Sequence, residues 1–175
     1  AVVNAYDDPN ILNDLNVYSG TFGLPTMKAC PVATATAVAP CFQKMDQRGG
    51  TRYPATNSGW ALEISLDVEA AHAMCQNCSI LLVEANSNSY ADLMTAVDRA
   101  ISSGATVVSN SYGSGEFSGE TSYDSHFNKT GVAITFSSGD NGYGASYPAS
   151  SPYVTAVGGT TLTLDANKAY VGETA

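Results

Sequence analysis

Two carboxylates four residues apart are the first candidates for chemistry in this sequence. Glu63 and Asp67 lie between Trp60 and Cys75, a stretch whose apolar spacing predicts a helix. At 100° per residue, that helix places both acids on the same side, inside an apolar arc. Burying two acids together without a basic partner favours retention of a proton, and perturbed carboxylates are typical of functional sites. The pair therefore indicates acid–base chemistry.

The same winding makes predictions about the rest of this helix. Ser65, Glu69 and His72 fall in one narrow polar arc, and apolar residues fill most of the remaining surface. We therefore expect the helix to be largely buried. The alternative is a shifted or frayed helix whose two acids reach solvent near its N-terminal end, where the helix dipole favours negative charge.

A third carboxyl group, Asp140, follows an apolar run within the sequence Gly-Asp-Asn-Gly. The glycines allow a tight turn and the approach of a ligand, although the stretch alone also fits an Asx turn. With Glu63 and Asp67, this acid suits a divalent-metal site, a glycosidase-like acid/base pair, or a protonated carboxyl that stabilises an oxyanion while another acts as base. The only two histidines are His72, which lies on the polar arc, and His126, so a serine–histidine–aspartate triad has no good candidate for its base.

The elements that must position these acids follow from the hydrophobic pattern. Four apolar runs predict buried strands, at residues 1–5, 79–85, 106–112 and 131–136. A short strand is expected near 42–45, and a further apolar run spans 154–164. Helical spacing or capping patterns occur at residues 11–19, 60–75 and 89–103, with a weaker helix at 119–129.

The alternation of strands and helices predicts an α/β fold in which helices flank a parallel sheet. In such sheets ligands bind beyond the carboxyl ends of the strands. The segments 111–113 and 139–140 are therefore expected to form the walls of a site. The chain of 175 residues fits one domain, in which residues 26–58 are a long, turn-rich excursion.

The charge balance and hydropathy narrow the possible partners. The chain has 7 Lys+Arg against 16 Asp+Glu, a net charge of −9, which predicts a surface that repels nucleic acid and anionic membranes. No apolar run reaches the roughly 18 residues of a membrane span. The chain begins within an apolar run, so we expect its natural N-terminus to lie upstream.

Four cysteines indicate an oxidising compartment, and hence secretion. The preferred pairing is Cys30 with Cys41 and Cys75 with Cys78, and the two other connectivities remain open. A redox pair at residues 75–78 is disfavoured because it would end a helix rather than begin one. A structural zinc site is disfavoured because a second Cys/His pair is absent.

Several segments resemble one peptidase family. Residues 63–69 resemble the Glu-x-x-x-Asp helix of the sedolisins, the serine-carboxyl peptidases of subtilisin-like fold. Residues 137–142 and 147–162 resemble the oxyanion-aspartate segment of that family and the stretch that follows it, and residues 5–9 and 22–25 also match. The resemblance implies a three-layer α/β/α peptidase domain with helices on both faces of its sheet. Residues 1–175 would be the N-terminal part of this domain, incomplete at the C-terminal side.

The resemblance also implies roles for individual residues. Glu63 would be the general base for a nucleophilic serine, Asp67 would hold Glu63 through a shared proton, and a protonated Asp140 would donate to the oxyanion. The substrate backbone would lie as an added strand along the segment from Ser109 to Gly113. The residues expected to bind substrate are Ser109, Ser111, Tyr112, Gly113 and Gly139.

Departures from the family pattern bear on these roles. Tyr112 stands where many relatives have Trp, and Asn4 stands where an acid often ends the first strand, so a proton network beyond Glu63 and Asp67 is in doubt. The family's Gly-Thr-Ser nucleophile segment does not occur here, so the fragment alone is expected to be inactive. The family's calcium site lies in its C-terminal part, so no metal or cofactor is expected in this chain.

The resemblance predicts an acid-active endopeptidase, secreted as a zymogen. Its partners would be a protein or peptide substrate, the C-terminal remainder of the catalytic domain and a propeptide. The first alternative is a non-catalytic peptide-binding module that keeps the peptidase scaffold but lacks the serine. The second is a carboxylate–metal hydrolase.

Overall fold

The computed structural model describes residues 1–31, 40–144 and 146–175, and their secondary structure alternates between strands and helices. The strands are β1 Val2–Ala5, β2 Phe42–Asp46, β3 Ile80–Ala85, β4 Val107–Asn110, β5 Ser114–Gly115, β6 Ala133–Ser137, β7 Ser146–Tyr147, β8 Thr155–Val157, β9 Thr161–Leu164 and β10 Tyr170–Thr174. The helices are α1 Ile11–Phe22, α2 Ser58–Met74 and α3 Tyr90–Ser102, and a 3₁₀-helix covers Glu120–His126.

One parallel sheet organises the molecule. Its six strands lie in the order β2-β3-β1-β4-β6-β8, and each neighbouring pair is parallel. Helices α1 and α2 cover one face of this sheet, and α3 covers the other. The predicted α/β fold, a parallel sheet with helices on both faces, is therefore confirmed.

The two sheet faces carry separate apolar cores. Because successive side chains of a strand point to opposite faces, Val2 and Leu82 pack with α1 and α2, whereas Val3 and Val83 pack with α3. Burial on both faces explains why these strands are continuous apolar runs rather than alternating patterns.

Helix α2 lies close to its predicted bounds, but the prediction that it is largely buried is wrong. Only one stripe is buried, formed by Ile64, Val68 and His72. Leu62 and Leu66 are 74% and 59% exposed, because the helix packs on the sheet with a single side. The polar arc was also misplaced, since His72 is buried with its Nε2 2.7 Å from the carbonyl oxygen of Pro25.

Three other predicted elements differ at their ends. Helix α1 continues past residue 19 to Phe22, where Gly23 takes a left-handed conformation (φ 69°) and caps it. Strand β4 stops at Asn110 instead of continuing to residue 112, so the backbone leaves the sheet two residues earlier than predicted. The weak helix predicted at 119–129 is the short 3₁₀-helix, with Phe127 buried just beyond it.

Both preferred disulfides are present, joining Cys30 to Cys41 and Cys75 to Cys78. The predicted excursion at 26–58 contains β2, which pairs with β3 at one edge of the sheet. The first disulfide holds the chain before residue 32 next to the start of this strand. The part of the excursion at 32–39 lies outside the described residues.

The apolar run predicted at 154–164 is split into two strands. β8 extends the parallel sheet, whereas β9 leaves it and forms an antiparallel hairpin with β10. Large apolar side chains of this part are exposed, namely those of Val157, Leu162, Leu164, Tyr170 and Val171. None of the helices in the described residues is both long and apolar enough to cross a membrane.

Candidate active site

A cleft of about 690 Å³ opens at the carboxyl ends of the sheet strands. Its walls come from the segment after β4, the segment after β6 and the first turns of α2. This is the edge at which parallel sheets bind ligands. Six of the residues predicted from the sequence line it, namely Glu63, Ser111, Tyr112, Gly113, Gly139 and Asp140.

Two predicted residues lie outside the cleft lining. Asp67 is half-buried one turn beyond Glu63 on α2, behind the cleft wall. Ser109 lies within β4, where it is in register with Val2 of β1 and Thr135 of β6. Its position makes Ser109 part of the sheet rather than of the cleft surface.

The start of α2 is fixed by a side-chain cap. The side-chain oxygen of Asn57 accepts hydrogen bonds from the backbone N–H groups of Gly59 and Trp60, at 3.0 and 3.1 Å. These bonds satisfy two donors that a helix N-terminus leaves free. The cap fixes the start of the helix at Ser58, and this start places Glu63 within the first turns of α2, where it lines the cleft.

Asp67 accepts hydrogen bonds at both of its carboxylate oxygens. Asn4 Nδ2 donates to Oδ2 at 2.9 Å, and Ser111 Oγ donates to Oδ1 at 2.7 Å. Burial raises the pKa of Asp67, while these two hydrogen bonds act in the opposite direction. The network therefore joins α2 to β1 and to the segment after β4, and Asn4 is part of it.

Glu63 is the half-buried acid that faces the cleft. Burial raises its pKa, and repulsion from Asp67 and Asp140 raises it further. Among the described residues, Glu63 and Asp67 make no direct hydrogen bond to each other. Asp140 is exposed at the opposite wall of the same cleft.

Two glycines allow the cleft walls to approach the β7 strand. A Cβ atom on Gly139, whose φ is 101°, would lie 2.8 Å from Ser146 Oγ. A Cβ atom on Gly113 would lie 3.0 Å from the carbonyl oxygen of Tyr147. At Gly139 the Ser146 hydroxyl would have to rotate away, and at Gly113 the backbone of residue 147 would have to move by a few tenths of an ångström, so both positions favour glycine.

Tyr6 and Trp60, two aromatic residues that were not predicted as site residues, form a further part of the cleft. Tyr6 and Trp60 have ring centroids 6.3 Å apart, and Trp60 and Tyr112 have theirs 6.5 Å apart. Tyr6 has a positive φ of 62°, which is unusual for a residue other than glycine. The available signal was an aromatic residue directly after the first predicted strand, at the edge where ligands bind.

The comparison with protein families gives a match over most of the chain. The sequence profile of the subtilase family, a peptidase family, matches residues 49–171. This chain belongs to the subtilase family. The matched region contains Glu63, Asp67 and Asp140, together with the segments that form both cleft walls.

A solved structure of the same general fold extends the comparison to the whole chain. The subtilase chain is similar to Pseudomonas sedolisin, a serine-carboxyl proteinase, in its complex with two molecules of pseudo-iodotyrostatin. The TM-score is 0.78 at 25% sequence identity, and the match covers 99% of this chain and 51% of that one. The comparison with curated proteins gives no match. The fold is thus that of the sedolisins, of which this chain spans about half the length.

The acids that line the cleft, Glu63 and Asp140, suit proton transfer. Within the described ranges, no group of three or more His, Cys, Asp or Glu side chains is placed to hold a metal ion together. Glu63 is a carboxyl of raised pKa at the cleft, which suits a proton acceptor at acidic pH. Asp140 is across the cleft, where a protonated acid can donate to a reacting oxygen.

Proposed function

We propose that this chain is the N-terminal part of a serine-carboxyl endopeptidase that hydrolyses peptide bonds at acidic pH. The observation that carries the proposal is the cleft itself, in which Glu63 faces Asp140 beside the backbone of residues 111–113. The subtilase family match and the likeness to sedolisin support a serine peptidase. Because the chain spans half of that relative, a serine from a downstream segment is part of the proposal.

Glu63 acts as the general base. As the serine hydroxyl attacks the scissile carbonyl carbon, its proton passes to the ionised Glu63 carboxylate, and the carbonyl oxygen becomes an oxyanion. Collapse of the tetrahedral intermediate breaks the C–N bond, and Glu63 returns the proton to the leaving amine. Water repeats the sequence to release the acyl group and restore the serine.

Asp67 orients Glu63 from behind the cleft. Asn4 and Ser111 hold its carboxylate from two sides, so the acid is anchored to the sheet as well as to α2. The negative charge of Asp67 favours the proton on Glu63 and so increases its basicity.

Asp140 supplies the proton that stabilises the oxyanion. It stands at the cleft wall next to Gly139, where the backbone turns away from β6. A protonated carboxyl donates a hydrogen bond to the developing negative charge, and this interaction is stronger in the transition state than in the bound substrate. This role requires the protonated form of Asp140, and in that form Asp140 exerts no charge repulsion on Glu63.

A peptide substrate lies along Ser111, Tyr112 and Gly113. The backbone leaves β4 at Asn110, so the main-chain groups of these cleft-lining residues lie beyond the last pair of β4 with β6. An extended peptide can pair with such groups as an added strand, and its side chains then reach the surrounding walls. The aromatic rings of Tyr6 and Trp60 provide apolar surface for one of these side chains.

From the likeness to sedolisin we also propose that the complete protein is secreted, carries a propeptide and binds calcium in its C-terminal part. The two disulfides support an oxidising compartment. No step above depends on a metal ion. The fragment by itself is expected to hydrolyse nothing, because the nucleophile belongs to the complete protein.

The test is a substitution in the complete protein that carries this chain. We expect Glu63→Gln to lower kcat/KM for an unstructured protein substrate at acidic pH by about 10²- to 10⁴-fold, because the amide cannot accept the serine proton. The matched control is Glu69→Gln on the same helix. The Glu69 carboxyl group lies near Asp14 of α1, and burial and the charge of Asp14 raise the pKa of Glu69. This control should leave kcat/KM close to the wild-type value, because Glu69 does not line the cleft.

Circular dichroism and thermal unfolding establish that each variant is folded. Retained hydrolysis in the folded Glu63→Gln variant would contradict the proposed role of Glu63. Binding of a peptide without hydrolysis by the wild-type protein would instead favour the non-catalytic binding module.

A further inference from the structure

The sheet face under α2 changes from apolar to polar towards the carboxyl ends of its strands. Val2 and Leu82 lie in the apolar core, whereas the next residues on this face, Asn4 and Glu84, are fully buried polar groups. Asn4 and Glu84 are direct partners in the register of β1 and β3. Since neighbouring strands are about 4.8 Å apart, the two side chains are within reach of each other.

Each of these side chains has one oxygen without a hydrogen-bond partner. Asn4 uses Nδ2 to donate to Asp67, but its Oδ1 accepts no hydrogen bond from the described residues. Glu84 uses Oε1 to accept from the backbone N–H of Asp8 at 3.2 Å, but its Oε2 has no partner in the same part of the chain. Two unpaired acceptors at adjacent buried positions are costly, and one proton between them would satisfy both.

The charges around Glu84 do not require it to be ionised. Lys44 of β2 lies 3.5 Å from Glu84 Oε1 but is closer to the carboxylate of Asp7, with which it forms an ion pair. Lys44 also donates to the carbonyl oxygen of Asp8 and lies over the ring of Tyr53. One ammonium thus faces two carboxyl groups, and Asp7 is enough to neutralise it. Besides burial, the charge of Asp7 and a side-chain hydrogen bond with it raise the pKa of Glu84, so Asp7 is the acceptor that competes with Asn4 for a proton on Glu84.

The other acids near this face have partners of their own. Asp46 of β2 is in register with Glu84, but Arg48 lies 3.2 Å from it and backbone N–H groups also bind it. Asp67 of α2 is separated from Glu84 by the Asn4 side chain. Burial raises the pKa of Glu84 to about 8, although Lys44 opposes this shift.

We propose that Glu84 carries a proton and donates it to Asn4 Oδ1, and that Glu84 is thereby a positioning residue of the proposed active site. The proton fixes the orientation of the Asn4 amide. With Oδ1 facing Glu84, the N–H group of Asn4 must point at Asp67. The reversed amide would place an oxygen against the Asp67 carboxylate and lose this hydrogen bond.

A hydrogen-bonded chain then runs from Glu84 through Asn4 and Asp67 to Ser111. It links β3, β1, α2 and the cleft wall that follows β4. Asn4 uses Oδ1 towards Glu84 and Nδ2 towards Asp67, and Asp67 uses Oδ2 towards Asn4 and Oδ1 towards Ser111. The orientation of Asp67, whose charge raises the pKa of Glu63, depends on a proton held three hydrogen bonds away from Ser111 at the cleft. This catalytic consequence rests on the proposed function, whereas the protonation of Glu84 does not.

The first test measures the proton directly, by infrared spectroscopy of the complete protein at pH 6. We expect a carbonyl band of a protonated carboxyl that disappears in Glu84→Gln and remains in the control Asp46→Asn. In Asn4→Leu the band should shift towards the frequency of a carboxyl group without a hydrogen bond. Absence of a band that depends on Glu84, or a band that Asn4→Leu leaves unshifted, would overturn the proposal.

The second test measures the positioning role in the same protein. Glu84→Gln keeps an N–H donor for Asn4 Oδ1 and should retain at least a third of the wild-type kcat. Glu84→Leu has no donor and should lower kcat at least tenfold with KM changed less than threefold. Equal kcat values in the two folded variants would overturn the positioning role.

The two tests separate the possible failures. If the wild-type protein hydrolyses no peptide, the proposed function fails, and the infrared bands still decide whether Glu84 shares a proton with Asn4. If Glu84→Leu does not fold, the decision rests on the band shift in Asn4→Leu together with the kcat of Glu84→Gln, which must remain within threefold of wild type.

Discussion

Glu63 and Asp67 are one helical turn apart but have different surroundings. Glu63 faces the cleft and makes no hydrogen bond to Asp67 in the described residues, whereas Asp67 accepts hydrogen bonds from Asn4 and Ser111. The sequence predicted that both acids lie on one side of α2 and that joint burial favours retention of a proton. In the structure, burial raises the pKa of each acid. It could not predict the support from Asn4, because that contact joins residues 63 positions apart.

Gly139 provides a prediction at the scale of a single residue. We expect Gly139→Ala to lower kcat/KM at least tenfold in the complete protein, because alanine is strained at this backbone conformation and its Cβ atom would lie 2.8 Å from Ser146 Oγ, so relief of the strain shifts the segment that carries Asp140. The positive φ of 101° adds a conformational cost of about 1 kcal/mol or more.

The matched control is Gly104→Ala at the end of α3. Gly104 has a similar φ of 94° but open space around it, and it lies away from the cleft. This variant should lose comparable stability without losing activity. Equal activity in the two variants, measured by peptide hydrolysis and thermal unfolding, would show that the close approach at Gly139 is unimportant.

At the scale of the element, α2 shows what apolar periodicity can and cannot define. The bounds of the helix were predicted within two residues at its start and one at its end. Its buried side was not, because the sequence gives the angles between side chains but not which arc the sheet covers. His72 is buried because Pro25, in the loop after α1, supplies a carbonyl oxygen for its ring, and this partner has no local sequence signal.

The buried stripe of α2 gives a prediction about stability. Val68 is fully buried under this helix, so Val68→Ala should lower the free energy of unfolding by about 2 kcal/mol through lost burial and the remaining cavity. Val17→Ala makes the same change on α1, where the side chain is 61% exposed, and should cost less than about 0.5 kcal/mol.

Denaturant unfolding of both variants measures this difference. Equal losses of stability would mean that α2 does not pack on the sheet through the stripe described here. A larger loss in Val17→Ala would mean that the exposed side of α1 is covered in the complete protein.

At the scale of the whole molecule, the strand order explains the location of the site. β1 lies in the middle of the sheet, so Asn4, the segment after β4 and the segment after β6 meet at one edge although they are distant in sequence. Continuous apolar runs made these strands predictable. The positions at which the chain leaves the sheet were not, because strand ends depend on tertiary contacts such as the pairing of Ser114 with Tyr147.

The C-terminal hairpin of β9 and β10 indicates where the rest of the catalytic domain would pack. β9 and β10 form a separate hairpin with exposed apolar residues, and this chain matches only about half of the sedolisin structure. We propose that the remainder of the catalytic domain covers this surface, since patches of this kind commonly mark interaction sites. The same remainder would bring the serine to the cleft between Glu63 and Asp140.

The most direct test of the central claim is the pH dependence of kcat/KM for peptide hydrolysis by the complete protein. Glu63 must be ionised to accept the serine proton, and burial raises its pKa, so activity should rise as the pH increases through that raised value. The proposed donor role of Asp140 requires its protonated form, so activity should fall again as the pH rises. The account predicts a bell-shaped profile with its maximum in the acidic range, and loss of activity in Asp140→Leu. Activity that is greatest at neutral or alkaline pH would contradict a mechanism based on these carboxyl groups.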